Sequence, residues 1–210
     1  LIGKIVAQTL GYIHKIPVIG VSHLWGHINS IFLSNKKIKF PFLSLIISGG
    51  HTELSIVNSY NKRKILGNTR DDAVGESFDK VAKMLSLTYP GGPIIEKYAQ
   101  NGNKDYVYFK RPYMEETWDF SFSGIKTAVL YYINSIKTKL DKKLISNICA
   151  SFQEAVCDTL TKKLILASKK FNCKTVCISG GVSANKYLRQ YIKKELSKEN
   201  IEILKELYKW

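Results

Sequence analysis

The spacing of apolar residues changes several times along the chain, and each change marks a new element. Leu1, Ile2, Ile5, Val6 and Leu10 recur at helical spacing, which predicts a helix over residues 1–12. The short apolar run Pro17-Val-Ile-Gly-Val21 reads as a buried strand. Helical spacing returns from His23 to Leu33 through Leu24, Ile28, Ile31 and Phe32. Two strands, Phe42 to Ile47 and Glu53 to Val57, flank Ser48-Gly49-Gly50, most simply as a hairpin. A helix with apolar positions Val74, Phe78, Val81, Ala82 and Leu85 follows, with Asp71-Asp72 as its expected N-cap and Tyr89-Pro-Gly-Gly-Pro93 as its stop.

Residues 101–118 are polar and aromatic without a period and read as loops. Ser123 opens a helix through Ile125, Val129, Tyr132, Ile133 and Ile136, with Ser123 as its cap and Lys126 in its first turn. The most regular stretch is 144–167, apolar at Leu144, Ile148, Phe152, Val156, Leu160, Leu164 and Ala167, which predicts one long helix. Strand Thr175 to Ser179, a Gly180-Gly181 turn and a helix from about Lys186 complete the readable part. Hairpin strands early and alternating strands and helices later make a mixed α/β arrangement, a sheet covered by helices. Twice a strand runs into Ser-Gly-Gly, at Ser48 and at Ser179. Such turns bring backbone N–H groups to the surface with no side chain in the way, which suits phosphate or ribose oxygens, so the pair points to one nucleotide cleft.

Composition adds a partner. The 210 residues are 45% hydrophobic, enough for one good core, and carry a formal net charge of +15. A phosphate-rich macromolecule is the natural partner for that charge, and its binding should weaken steeply with salt. The skew is in lysine, since only Arg63, Arg70, Arg111 and Arg189 are arginine, and biased genomic composition alone would also produce it. No run reaches the roughly 20 apolar residues of a membrane span, and the first residues lack a signal-peptide pattern, so a soluble, intracellular protein is expected. Cys149, Cys157, Cys173 and Cys177 are not spaced as a disulfide framework and read as buried thiols, the last two on one face of a strand.

Several residue groups could carry chemistry. His23 and His27 lie one turn apart on one helix face, either as a metal pair or as hydrogen-bonded histidines under a helix. A zinc peptidase would need Glu directly after the first histidine, where Leu24 stands. Capping explains Asp71 and Asp72, whereas Asp79 shares its segment with a helix-interior Gly75, a residue that implies a close approach. Ser123-Gly-Ile-Lys126 matches Ser-x-x-Lys but lacks its companion motifs, and an N-cap with a first-turn lysine is preferred. Asn185 either caps the helix that starts there or hydrogen-bonds a ribose or base.

Taken in order, Ser22-His-Leu-Trp-Gly-His27, Leu45-Ile-Ile-Ser-Gly-Gly-His-Thr52, Asp71-Asp-Ala-Val-Gly-Glu-Ser-Phe-Asp-Lys80, Tyr89-Pro-Gly-Gly-Pro93, Asp119-Phe-Ser-Phe-Ser-Gly-Ile-Lys-Thr127, Ser151-Phe-Gln-Glu-Ala-Val156 and Ser179-Gly-Gly-Val-Ser-Ala-Asn185 resemble the tRNA threonylcarbamoyladenosine transferases, the TsaD-like family once called O-sialoglycoprotein endopeptidases. The resemblance covers roughly residues 1–195. It implies an actin/Hsp70/sugar-kinase-like fold with ribonuclease-H-type lobes. The implied reaction moves the threonylcarbamoyl group from threonylcarbamoyl-adenylate to the exocyclic amine of the adenosine beside the anticodon, in tRNAs reading codons that begin with A. Adenylate is the leaving group and no protein nucleophile is needed.

By the same resemblance His23 and His27 are expected to be metal ligands for one divalent ion, iron or zinc, acting as a Lewis acid. Ile46, Ile47, Ser48, Gly49 and Gly50 are expected to form the first adenylate-binding strand and turn, joined by Asp79, Gly92 and Asn185. Implied partners are the adenylate, tRNA, and the accessory proteins of a threonylcarbamoylation complex, a paralogous subunit of the same fold and an ATPase subunit, in the cytoplasm and without a membrane. The family's first phosphate strand is expected before Leu1, and its Cys-Thr-Asp-Asn motif, whose Asp is the third metal ligand, after the last helix. The expected organisation is residues 1–40 from a first lobe carrying the histidines, 41–196 as the second lobe with the nucleotide turns, and 197–210 as a tail outside the family pattern, incomplete at both ends. In that tail Ile201, Leu204, Leu207 and Tyr208 form an apolar stripe, and its removal is expected to leave the fold intact. A truncated, non-catalytic nucleotide-binding or assembly module of the same family is the alternative.

Overall fold

The computed structural model describes residues 2–34, 38–112 and 117–204. Helices α1 (Ile2–His14) and α2 (His23–Ser34) precede a hairpin of β1 (Phe42–Ile47) and β2 (Thr52–Ser59), which β3 (Lys62–Asn68) extends. Four helices follow, α3 (Val74–Met84), α4 (Gly91–Ala99), α5 (Ser123–Ser135) and the long α6 (Lys142–Phe171). Strand β4 (Thr175–Ser179), a 3-10 turn over Gly181–Ala184, α7 (Lys186–Lys198) and β5 (Glu202–Leu204) end the described chain. The strands make one sheet in the order β3-β2-β1-β4-β5. The first three are antiparallel, and β4 and β5 are parallel to β1.

Strand alternation sorts the side chains of the sheet onto two unequal faces. Leu43, Leu45 and Ile47 of β1, with Leu54 and Ile56 of β2, join the large core under α3 to α7. Phe42 and Ile46, with Val57, Cys177 and Leu204, face the other way and receive Ile28 and Ile31 of α2. Both faces of β1 are therefore covered, which is why its pattern is a continuous apolar run rather than an alternation.

Most predicted elements are present, and the departures have physical causes. Residues 17–21 form no strand: Val18, Ile19 and Val21 are 49%, 83% and 80% exposed, and no described strand lies beside them to pair with. Strand β3 escaped the reading because it is a largely exposed edge strand rich in lysine, and α4 because its first residues, Gly91-Gly92-Pro93, look like a turn. The long helix extends beyond 144–167 at both ends, where Asp141 accepts from the Leu144 N–H at 2.7 Å and Asn172 stops it in the left-handed region at φ 50.

The expected cap of α3 by Asp71-Asp72 is also corrected. Ala73 stands at that N-cap without a side-chain bond. Asp71 instead reaches the start of α5, accepting from Ser121 Oγ at 2.5 Å, the Phe122 N–H at 2.8 Å and the Ser123 N–H at 3.2 Å. Ser123 is thus a capped residue rather than the cap, and Lys126 pairs with Asp72 at 2.7 Å instead of addressing Ser123. All four cysteines are free and buried, with Cys173 ahead of β4 and Cys177 within it, so the expected shared strand face does not occur. Burial pushes the Cys149 thiol up to about 12.

The part of the tail that is described joins the fold. Residues 202–204 are a strand, Ile201 is 7% exposed, and Leu204 joins the α2 face of the sheet. Leu207 and Tyr208 lie outside the described residues. Removing residues 197–210 is therefore expected to cost about 3 kcal/mol, roughly the burial of two aliphatic side chains, read as a lowered urea midpoint.

Acid should act through the aspartate contacts. Burial raises the Asp71 carboxyl, but its bonds from Ser121, Phe122 and Ser123 outweigh that and hold it below the usual range. Burial of Asp119 is likewise outweighed by the Asn68 N–H and Arg70. A carboxyl depressed in the folded state contributes stability above its unfolded pKa and loses it as pH falls through the folded one. Thermal midpoints should hold down to about pH 5 and fall below about pH 4, and Asp71→Asn should be less stable at neutral pH yet show a shallower acid decline.

Candidate nucleotide cleft and histidine pair

Parallel pairing of β1 with β4 sets Ile46 opposite Ser179, so the two Ser-Gly-Gly turns leave the sheet side by side at the same edge. Gly180 lies in the left-handed region at φ 93, and a β-carbon there would stand 2.5 Å from the Ile47 carbonyl oxygen. The first turn is closed by the Ser48 N–H donating to the His51 carbonyl at 2.8 Å and the His51 N–H donating to Ser48 Oγ at 3.0 Å. The close approach expected at Gly75 is this turn: a β-carbon on Gly75 would stand 2.7 Å from Gly49 Cα, and the Gly75 N–H donates to the Ser48 carbonyl at 3.2 Å. Thr52 Oγ1 accepts from the Val74 N–H at 3.0 Å, so the start of α3 is bonded to the end of the turn.

Around these turns lies a cleft of about 310 Å³ lined by Gly49, Gly75, Asp79, Tyr89, Gly92, Glu96, Gly181 and Asn185 among others. Of the sequence-predicted residues it brings together Gly49, Asp79, Gly92 and Asn185. Ser48 and Gly50 belong to the adjoining turn, whereas Ile46 and Ile47 lie inside the sheet with no exposed surface, on opposite faces. Gly49, Gly50, Gly92 and Gly181 have open space where a β-carbon would go.

The polar side chains of the cleft hold helix starts. Asp79 Oδ1 accepts from the Gly91 N–H at 2.7 Å, at the beginning of α4. Asn185 Oδ1 accepts from the Leu188 N–H at 2.8 Å and its Nδ2 donates to Gln153 Oε1 at 2.9 Å, so the capping role is realised. Glu96 Oε1 accepts from the Lys186 N–H at 2.7 Å, a second support for the start of α7. Glu96 carries no signal in the sequence because its helix carries none, and Tyr89, exposed at the cleft rim, looks there like part of a turn. The first N–H groups of α3, α4 and α7 are thus taken up by Ser48, Thr52, Asp79, Glu96 and Asn185, and the open backbone at the cleft is that of Gly49, Gly92 and Gly181.

Beside the first turn stand the histidines. His23 Nε2 and His27 Nε2 are 3.2 Å apart, with ring centroids at 4.6 Å, and the His51 ring lies 6.5 Å from that of His23. Burial first, then the neighbouring His23 and His51, lowers the His27 pKa, which keeps its imidazole neutral at lower pH. Two ring nitrogens on one ion with metal–nitrogen bonds of about 2.0–2.1 Å would be roughly 3.4 Å apart at a tetrahedral angle, close to the spacing found. The two rings are hydrogen-bonded to each other as they stand, and the same spacing admits them as two ligands of one ion. Among the described residues no group of three His, Cys, Asp or Glu is arranged to hold an ion.

A family model described as TsaD, tRNA N6-adenosine threonylcarbamoyltransferase, matches residues 1–208. The protein of that name from Endomicrobium trichonymphae is 52% identical over 203 residues, which are 97% of this chain and 59% of that protein. The one from Clostridioides difficile is 46% identical over 201 residues, 95% of this chain and 59% of its own length. Among solved structures, full-length HypF in its phosphate- and nucleotide-bound form matches 90% of this chain and 40% of its own at a TM-score of 0.69 and 14% identity. HypF from T. kodakarensis matches 95% and 35% at 0.71 and 15%. Those likenesses concern the fold, and they establish it as the actin/Hsp70/sugar-kinase-like type expected. The chain spans about 59% of the length of the two curated relatives.

The glycines separate folding from binding. Gly180→Ala should lower stability by about 1–3 kcal/mol in a denaturant titration, because its φ and the Ile47 carbonyl leave no room. Gly50→Ala and Gly181→Ala should keep the midpoint within about 0.5 kcal/mol of the parent, yet weaken binding of an adenylate analogue by calorimetry in the full-length protein.

Proposed function

The chain belongs to the TsaD family of tRNA N6-adenosine threonylcarbamoyltransferases, and from that membership we propose that the full-length protein transfers a threonylcarbamoyl group from threonylcarbamoyl-adenylate to N6 of the adenosine beside the anticodon, in tRNAs that read codons beginning with A. The observation that carries the reading is the pair of open diglycine turns at one sheet edge, over a nucleotide-sized cleft and next to two converging imidazoles. Backbone N–H groups of Gly49, Gly50 and Gly181 would meet the phosphate of the adenylate. Asp79 has a second carboxylate oxygen for a ribose hydroxyl, and it suits that end of the ligand because a carboxylate beside the phosphate would be repelled. Gly92 admits the nucleoside to the start of α4, and Asn185 orients the wall opposite.

In the transfer, the N6 lone pair attacks the carbamoyl carbon and the bond from that carbon to the phosphate oxygen breaks. Adenylate departs with the electron pair, and the N6 proton passes to solvent. His23 and His27 would hold a divalent ion, iron or zinc, that supplies Lewis-acid polarisation of an acyl or phosphate oxygen. The chain's own part would be to seat the leaving group, since backbone donors at the open glycines would favour the charge that develops as it departs. The target base must be reached in a single-stranded loop, where it can be splayed outward, and the basic surface supplies attraction to the tRNA without choosing the base. Accessory subunits, a paralogue of the same fold and an ATPase, complete the system in the cytoplasm.

The test is tRNA modification by the full-length protein with an adenylate-generating enzyme added. His27→Ala should lower the rate at least about 100-fold, since Lewis-acid stabilisation is worth several kcal/mol. Equal modification by parent and variant overturns the metal role.

A further inference from the structure

On the face of the sheet that carries α2, three side chains link the histidine helix to strands β2 and β3. Glu53 of β2 is 3% exposed and points to the α2 side, being two and four residues from Ser55 and Val57 along the same strand face. Its Oε1 accepts from Arg63 Nη1 of β3 at 2.6 Å. The Arg63 guanidinium in turn lies over the ring of Trp25, its central carbon 5.3 Å from the centroid. A buried carboxylate is tolerated only with its partner in place, so Glu53 holds the guanidinium where it is, and the planar cation is then offered to the ring. Burial raises the Glu53 pKa against the opposing pull of Arg63 and His51, which agrees with a carboxylate that depends on its cation.

Trp25 stands between His23 and His27 in the sequence. At about 100° per residue, its side chain leaves the helix roughly 160° from each of them, nearly on the opposite side. Ile28 and Ile31 seat α2 on the sheet, and Leu24 and Trp25 of the first turn pack against the same cluster, but these apolar contacts are non-directional, whereas the Arg63 stack fixes the tryptophan ring in one place. Anchoring Trp25 toward β3 directs the two imidazoles toward the turn after β1, where the His51 ring lies 6.5 Å from that of His23.

We propose that Arg63, held by Glu53 and stacked on Trp25, is a positioning residue that sets the rotation of the first turn of α2 and so aims the His23–His27 pair for metal binding. The inference rests on the reading of that pair as metal ligands. It assigns no contact between Arg63 and the metal, and its effect is carried through the tryptophan ring alone.

The experiment titrates the full-length protein with cobalt(II), read by its visible absorption and by competition with a chelator. Arg63→Ala and Trp25→Leu are each expected to weaken binding by about 10–100-fold, the range for supports outside the ligand shell. The double variant should be no weaker than the worse single one, as befits two parts of one brace. Trp25→Phe, which keeps a ring under the guanidinium, should recover most of the affinity, and in an Arg63→Ala background, where no cation lies over the ring, Phe and Leu should bind alike, whereas a packing role would keep Phe ahead of Leu there too. Binding by Arg63→Ala within about twofold of the parent, additive losses in the double variant, or equal affinities for Trp25→Phe and Trp25→Leu would each overturn the inference. His27→Ala separates the two levels. If it binds cobalt as the parent does, the metal reading fails and this inference with it; if it alone loses binding, only the brace is refuted.

Discussion

Parallel pairing of β1 with β4 is the constraint on which the candidate site depends. Strands that run the same way end at the same edge, and the register that sets Ile46 opposite Ser179 makes them end at the same level. Each strand can then deliver a turn to one cleft, although Ser48 and Ser179 are far apart in sequence. Gly180 is the cost of the arrangement, since the chain must leave β4 at φ 93 across the Ile47 carbonyl, where a β-carbon has no place. A crevice beyond the carboxyl ends of parallel strands is where ligands of α/β sheets collect, and here the pairing also brings helix starts to its rim.

Those helix starts are held by carboxylates and amides from elsewhere in the chain. Asp71 serves α5 across some fifty residues, Asp79 serves α4, and Glu96 serves α7, whose own cap Asn185 is tied to Gln153 of α6. Each such bond satisfies an N–H that the helix itself leaves unpaired and locks two elements at a set distance. The side chains that look most like ligand contacts are therefore committed first to the walls of the cleft. What remains free to address a ligand is largely backbone at open glycines, together with the second oxygen of Asp79. A cleft built in this way is organised before anything binds, and its geometry does not rest on one mobile side chain.

Legibility in the sequence followed the strength of local signals. The histidine helix, the hairpin, the long helix and both diglycine turns were readable because period and punctuation agreed there. Strand β3 and helix α4 were not: one is an exposed edge with little apolar pattern, the other begins in residues that elsewhere make turns. Glu96 was lost with its helix. The partners of Asp71 were beyond any local reading, because a cap that arrives from another segment leaves no trace in spacing. Gly75 was the exception among tertiary features: a glycine inside a good helix is unfavourable enough locally to announce a neighbour, and the neighbour is the Ser48-Gly49 backbone. The strand expected at residues 17–21 failed for the converse reason, an apolar run with no described partner strand.

The two faces of the sheet carry different parts of the chemistry, and the turn at Ser48 to Thr52 is where they meet. The large core supports α3, α4 and α7, whose starts surround the cleft, while the smaller cluster supports α2 and its histidines. The position of the imidazoles relative to the cleft is consequently set by how α2 lies on β1 and β2 at the mouth of that turn, and by what keeps its first turn from rotating. Ile28, Ile31 and Leu24 settle the helix on the sheet through apolar contact, which is non-directional. A charge pair and a ring fixed at known distances are directional, and the Glu53, Arg63 and Trp25 chain supplies that direction where the aliphatic contacts cannot.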